Sequence, residues 1–311
     1  MKLRNLLAVA AGSVGATALA NRLLAGRAGR FQPLLEGDQG TYRWRGFDVA
    51  YAERGDPADR DLVLLHGVHA AASGHEFWRL VDDLAEDYHV LVPDLPGFGH
   101  SERPALLYSA ALYTTFVRQF LADVTDEPPV VVASSLSASY AALAARDVDV
   151  AELVLICPSG GVASDRRPWL RALLRAPVLG QALFNVIASK PSIRHFHADH
   201  GVADLAHVPP DVIDYEWQTA HQPGARFAPA SFLGGYLDPE ADLGDVLADL
   251  DVPITLVWGR EADLVPLERG RALAERADAR LVVIEDAKLL PHVEHPHAFV
   301  EVLEESIRAP A

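Results

Sequence analysis

At 311 residues, half of them apolar, the chain can bury a full hydrophobic core, which excludes a protein that is largely disordered. It carries 43 acidic residues against 27 basic ones, a formal charge of −16. A surface of that sign repels phosphate backbones and excludes nucleic acid as a partner. The single cysteine, Cys157, excludes an intramolecular disulfide and any cysteine-based metal cluster.

The basic set is nearly all arginine, with lysine only at Lys2, Lys190 and Lys288. An acidic, lysine-poor surface resembles those of proteins from salt-accumulating microbes, although high-GC coding composition gives the same pattern. Residues 1–30 form a leader. Its apolar run, residues 6–20, follows Lys2 and Arg4 and precedes Arg22, Arg27 and Arg30. A spanning helix needs about 20 apolar residues, so the run is short unless residues 23–25 join it. Three readings stay open: a membrane anchor acting through residues 1–25, a signal cleaved after Ala18-Leu19-Ala20, and an alanine-rich surface helix. The expected location is cytoplasmic or membrane-associated through the N-terminus, ahead of secreted.

From residue 40 the pattern becomes that of a folded domain reaching 311. Residues 42–52 alternate in part and read as two strands turning at Gly46. A continuous apolar strand at 61–65 stops at His66-Gly67, and a helix is predicted over 77–86 from Phe77, Leu80, Val81 and Leu84. Strand 89–92, helix 111–124, strand 130–133, helix 136–145 and strand 153–157 follow. After a break come strand 254–258, helix 267–276, strand 280–284 and a closing helix from about 294 to 307. Strands alternating with helices in this way predict an α/β fold with a mostly parallel central sheet covered on both faces. Between about 161 and 250 the alternation gives way to helical pieces at 169–175, 178–187 and 202–205, broken by Pro191, Pro209, Pro210 and Pro223. An insertion there is expected to form a cap over the strand ends.

Three segments carry a family resemblance. His66-Gly67-Val68-His69 follows a strand, where glycine permits a tight turn and the next N–H can face a developing oxyanion. Asp94-Leu95-Pro96-Gly97-Phe98-Gly99-His100-Ser101 follows the next strand. Ala133-Ser134-Ser135-Leu136-Ser137 lies between a strand and a helix, with alanine and serine at the outer positions of a G-x-S-x-G elbow. Together these resemble the α/β-hydrolase superfamily, and within it the capped, single-domain microbial hydrolases. The resemblance implies Ser135 as nucleophile, the backbone N–H groups of Val68 and Leu136 as oxyanion hole, and His69, His100, Ser134 and Leu289 as pocket residues.

The acid and base positions depart from that pattern. Where the superfamily has G-x-x-D-x-x-V-P, this chain places Ala262 at the aspartate position, with Asp263 one residue late. The position of the usual histidine is Leu289, and His292 matches a second histidine of the motif. One reading is a serine hydrolase of a small uncharged ester or acyl substrate, with an offset triad of Ser135, Asp263 and His292. The other is a degenerate homologue that keeps the pocket for binding or regulation; His69 is a further replacement base. His195, His197 and His200 read as cap-surface residues, and Glu294 as a solvated helix-start charge. No metal, nucleotide or other cofactor is expected, because no H-E-x-x-H, G-x-G-x-x-G or Walker pattern occurs. The expected partner is a small, mostly uncharged molecule.

Overall fold

The computed structural model describes residues 3–33, 35, 37–160 and 165–308, with side chains from residue 13 onward. The residues at which the cap insertion was expected to begin, 161–164, and the last three of the chain lie outside that set.

After helix α1 (Leu3–Ala28) the chain forms strands β1 (Asp38–Trp44) and β2 (Phe47–Arg54). Arg45 and Gly46 between them both have positive φ, 48° and 92°. That is the two-residue hairpin turn whose twist matches the flanking strands. Strand β3 (Arg60–Leu65), the short helix α2 (Val81–Leu84), strand β4 (Tyr88–Pro93), helix α3 (Ala110–Val124), strand β5 (Val130–Ser134), helix α4 (Leu136–Ala144) and strand β6 (Glu152–Ile156) follow. The cap comes next: α5 (Pro168–Arg175), α6 (Leu179–Ile187), α7 (Lys190–Phe196), α8 (Pro210–Ala220), α9 (Phe227–Leu233) and α10 (Leu243–Ala248). Strand β7 (Ile254–Gly259), helix α11 (Leu267–Ala277), strand β8 (Arg280–Ile284) and helices α12 (Pro291–Glu294) and α13 (Pro296–Arg308) close the chain.

The strands form one sheet in the order β1-β2-β4-β3-β5-β6-β7-β8, antiparallel at β1/β2 and β2/β4 and parallel elsewhere. Strands β5, β6 and β7 are buried along their whole length. That burial explains why they read as unbroken apolar runs rather than alternating ones. Register fixes the site: Leu65 pairs with Ala133, so the loop after β3 and the turn after β5 leave the sheet side by side.

Two local expectations are corrected. The helix predicted over 77–86 is a tight turn at Gly74–Phe77 followed by the four residues of α2. Phe77, Leu80, Val81 and Leu84 are indeed buried, but the Asp94 carboxylate holds the Gly74 N–H at 2.7 Å and the turn closes through i→i+3 bonds such as Trp78 N–H to His75 O. In the cap, the helix expected at 202–205 is absent. The chain instead winds as a π turn at His197–Gly201 and resumes as one 3₁₀ turn at Leu205–His207, capped by the Asp204 carboxylate. Proline at 209 and 210 reads as a breaker, yet Pro210 opens α8, where its missing N–H costs nothing.

The end of β7 approaches the loop before α12 closely. A Cβ on Gly259 would lie 1.9 Å from the Lys288 carbonyl oxygen and 2.5 Å from that of Ala287. Gly259→Ala is therefore expected to cost about 1–3 kcal/mol by overpacking and to lower the thermal midpoint by several degrees. An unchanged midpoint would contradict this backbone contact.

Candidate active site

Ser135 stands at the junction of β5 and α4 with φ 52° and ψ −120°. For a non-glycine residue this is a strained conformation, costing on the order of 1–3 kcal/mol. The neighbourhood enforces it: the Ser135 N–H donates to Ile156 O at 2.8 Å, and the Ser159 N–H donates to Ser135 O at 3.1 Å. The turn lifts the hydroxyl clear of the sheet, where its Oγ lies 3.2 Å from Ser159 Oγ. At the second residue of α4, Ser137 Oγ donates to His66 O at 2.5 Å and clamps the neighbouring loop to the elbow. His66 braces that loop as well. Its Nε2 accepts the Leu95 N–H, which leaves the proton on Nδ1 to donate to Gly67 O. Burial pushes His66 down and keeps it neutral, so it links loops rather than carrying charge.

Among the described residues, neither the Val68 nor the Leu136 N–H makes a hydrogen bond, while both residues are at least 95 % buried. Unsatisfied N–H groups are rare in buried backbone. Val68 lines the same cavity as Ser135, and Leu136 is the residue that follows Ser135 in the chain. Above the elbow lies a cavity of about 60 Å³, enough for several waters or a small ligand group. Val68, His69, Ser134, Ser135 and Leu289 all contribute to its wall.

The structure does not bring Asp263 and His292 to this cavity. Asp263 is half exposed and pairs with His200 at 3.0 Å; desolvation works to raise its carboxyl, but His200 and nearby backbone N–H groups together hold it below the usual range. His292 is fully buried, with Nε2 3.3 Å from Glu76 Oε1, within ion-pair distance but off the angle of a hydrogen bond. The offset triad is therefore not assembled, because each partner is engaged elsewhere. Ala262 and Leu289 are buried at the two usual relay positions. His100 also lies away from the cavity, its ring stacked on Phe31 at 4.0 Å and its backbone N–H donating to the Asp94 carboxylate at 2.6 Å.

Residues that sequence reasoning passed over dominate the electrostatics. Glu76 is nearly buried beside the elbow: a methyl carbon placed on Gly67 would lie 3.2 Å from Glu76 Oε2, 3.4 Å from Ser134 Oγ and 3.4 Å from Ser135 Cβ. Glu76 Oε2 accepts the Gly67 N–H at 2.8 Å. Burial disfavours its charge, but His292, with help from Ser134 and His66, holds the carboxyl at about 2. Glu294, expected to be solvated, is 3 % exposed and accepts the N–H groups of Ala203 and Lys288 at 2.6 and 2.7 Å. It ties the cap to the loop that carries Leu289.

His197 is the larger correction. Far from lying on the cap surface, it is 3 % exposed and lines the cavity together with Glu216 of α8. Its Nε2 lies 3.0 Å from both Glu216 oxygens, and its Nδ1 has no partner. That Nδ1 is shielded from solvent, and a Cβ at Gly201 would lie 2.9 Å from it, so glycine there leaves the imidazole its space. Burial opposes charge on His197, but the Glu216 carboxylate outweighs it and raises the imidazole above its ordinary value; Glu216 is correspondingly lowered. The π turn that carries His197 docks on the Leu289 loop, through Leu290 N–H to Gly201 O at 3.0 Å. His69 contributes a neutral imidazole: its Nδ1 accepts the Ala71 N–H, and burial lowers it. His75 is pushed down to about 4 for the same reason. Among the described residues, no group of three or more histidine, cysteine or acidic side chains is placed to hold a metal ion.

Comparison with known proteins agrees with this architecture. Residues 62–302 match the profile described as Alpha/beta hydrolase family. The chain is 29 % identical over 248 residues to a pimeloyl-[acyl-carrier protein] methyl ester esterase of Aeromonas hydrophila, covering 78 % of this chain and 94 % of the esterase. It is 25 % identical over 255 residues to a 2-hydroxymuconate semialdehyde hydrolase of Pseudomonas, covering 78 % and 84 %. Among solved structures it is similar to a bacterial membrane phospholipase A, with TM-score 0.71 and 22 % identity over 99 % of this chain and 98 % of that one. With a serine elbow after β5, a helical cap between β6 and β7, and a profile match over most of its length, the chain belongs to the alpha/beta hydrolase family.

Proposed function

We propose that the protein hydrolyses a small uncharged ester or related acyl compound through Ser135, with the base supplied from the cap by His197 rather than from the loop positions the family usually uses. One observation carries this reading: a buried histidine oriented by a carboxylate lines the same cavity as the elbow serine, beside a loop whose own relay position is leucine. A serine hydroxyl needs a base, and the base needs an orienting acid. Glu216 accepts from Nε2, which leaves the Nδ1 lone pair as the basic site.

In this scheme Ser135 Oγ attacks the acyl carbon while its proton passes to His197 Nδ1. The oxyanion is held by the N–H groups of Val68 and Leu136. The bond from acyl carbon to leaving oxygen then breaks, and that oxygen takes the proton from His197. A water, deprotonated by the same nitrogen, cleaves the Ser135 ester and regenerates both groups. Ser134 and His69 contribute polar wall, and the leucines and valines favour an uncharged ligand.

A second reading, binding without hydrolysis, is favoured by Leu289, whose apolar side chain occupies the usual base position at the cavity. Turnover of short-chain nitrophenyl esters separates the two. Hydrolysis by the wild type that falls about 10³-fold or more in Ser135→Ala supports the enzyme. Ligand retention in the cavity with no Ser135-dependent turnover supports the binding protein.

A further inference from the structure

We propose that the face formed by α1, α5, α6 and the loop before α3 is a docking surface for an anionic lipid bilayer. Ten large apolar side chains are exposed in the described structure, and nine of them lie on these four segments, Leu264 being the exception. They form stripes rather than scatter. Leu19 and Leu23 are one turn apart on α1, Trp169 and Leu173 are one turn apart on α5, and Leu179 and Val186 are two turns apart on α6. Trp169 is 65 % and Val186 68 % exposed. The segments are joined to one another: Asn21 of α1 donates to Val178 O and accepts from Asn185 of α6, and Arg175 of α5 donates to the carbonyls of Ala105 and Leu106. Contiguous exposed apolar area of this kind marks an interaction site.

Charge selects the occupant. In a chain of net −16, residues 1–35 and 166–198 contain no Asp or Glu and carry five and six Lys or Arg, of which Arg166 and Lys190 pair with Glu240 and Asp214 from outside these segments. Basic side chains around exposed tryptophan and leucine are the pattern of helices that lie in a headgroup layer. A second copy of the chain meeting this face by a two-fold axis would set like charge against like charge. Among the described residues no single helix is long and apolar enough to cross a membrane, and α5 and α6 reach that length and apolarity only together, as a pair bent by 101°. The fit is to helices lying on the surface.

Flotation of the full-length chain with vesicles of phosphatidylcholine, alone or mixed with phosphatidylglycerol, tests the assignment. The protein should float with the phosphatidylglycerol vesicles, less so at higher salt, and its tryptophan emission should shift to the blue, with most of that shift lost in Trp169→Phe. Trp169→Ser with Leu173→Ser, and separately Leu179→Ser with Val186→Ser, should each lower the bound fraction about tenfold or more. Because these side chains are exposed, both variants should keep the wild-type thermal midpoint, and a variant that loses it is replaced by Arg171→Glu, expected to weaken binding in the same direction. Failure of the wild type to bind phosphatidylglycerol vesicles, binding unchanged in all variants, or a lipid-free dimer that these substitutions dissociate would each overturn the proposal.

Discussion

His197→Gln is expected to slow acylation of Ser135 by about 10²–10⁴-fold, Glu216→Gln by a comparable factor, and Asp263→Ala by no more than about twofold. The asymmetry follows from position. His197 and Glu216 line the cavity, whereas the Asp263 carboxylate is spent on His200 at the surface. The pH dependence separates a base from a structural residue. Burial works against charge on His197, but Glu216 prevails and raises the imidazole above 6.5. A base acts in its neutral form, so the acylation rate should climb with pH through a midpoint above 6.5 and then level off. A rate flat in pH from 6 to 9, or unaffected by His197→Gln, contradicts the assignment. The same pair has a stability signature of fixed sign. Raised in the fold, His197 contributes stability at low pH that is lost as pH rises through its folded value. Lowered in the fold, Glu216 contributes stability above its ordinary value that is lost as pH falls.

Glu76→Ala should be the most destabilising single change near the site, by about 3–5 kcal/mol. It leaves the fully buried His292 without its facing carboxylate and the Gly67 N–H without an acceptor. Acid titration gives an independent handle. Burial raises the Glu76 carboxyl, yet His292 and Ser134 bring it from 4.5 to about 2, a difference of about 3 kcal/mol. The group is depressed in the fold, so this stabilisation is complete above about 4.5 and is lost as pH falls toward 2. Urea unfolding of wild type, Glu76→Gln and Glu76→Ala across that interval should show the wild type losing its advantage over Glu76→Gln as the acid limit is approached. A constant gap between them at all pH values would show that Glu76 holds the loops by shape alone.

The sheet was legible because its inner strands are buried on both faces, and an unbroken run such as residues 130–134 has one simple explanation. The elbow was legible because small residues flanking a serine at a strand-to-helix turn answer a steric demand, met here at φ 52°. The cap was legible only as an insertion. Two of its helices, α5 and α8, begin at prolines and α7 runs into a π turn, so the punctuation that marks helix ends elsewhere misleads here. His197 and Glu216 are 19 residues apart on different helices, and their pairing arises only from packing of the cap. Glu76 did leave a trace: it is a charged residue just before the buried series Phe77, Leu80, Val81 and Leu84, a place where a carboxylate persists only if something meets it.

The most direct measurement is intact-mass detection of fluorophosphonate labelling, on folded wild type and on Ser135→Ala, in salt that preserves the fold. An activated serine predicts rapid addition of a single label, mapped to Ser135 by peptide sequencing and absent from Ser135→Ala. Folded protein that stays unlabelled at every pH up to 9 would contradict serine-based hydrolysis and leave the cavity as a site for binding alone.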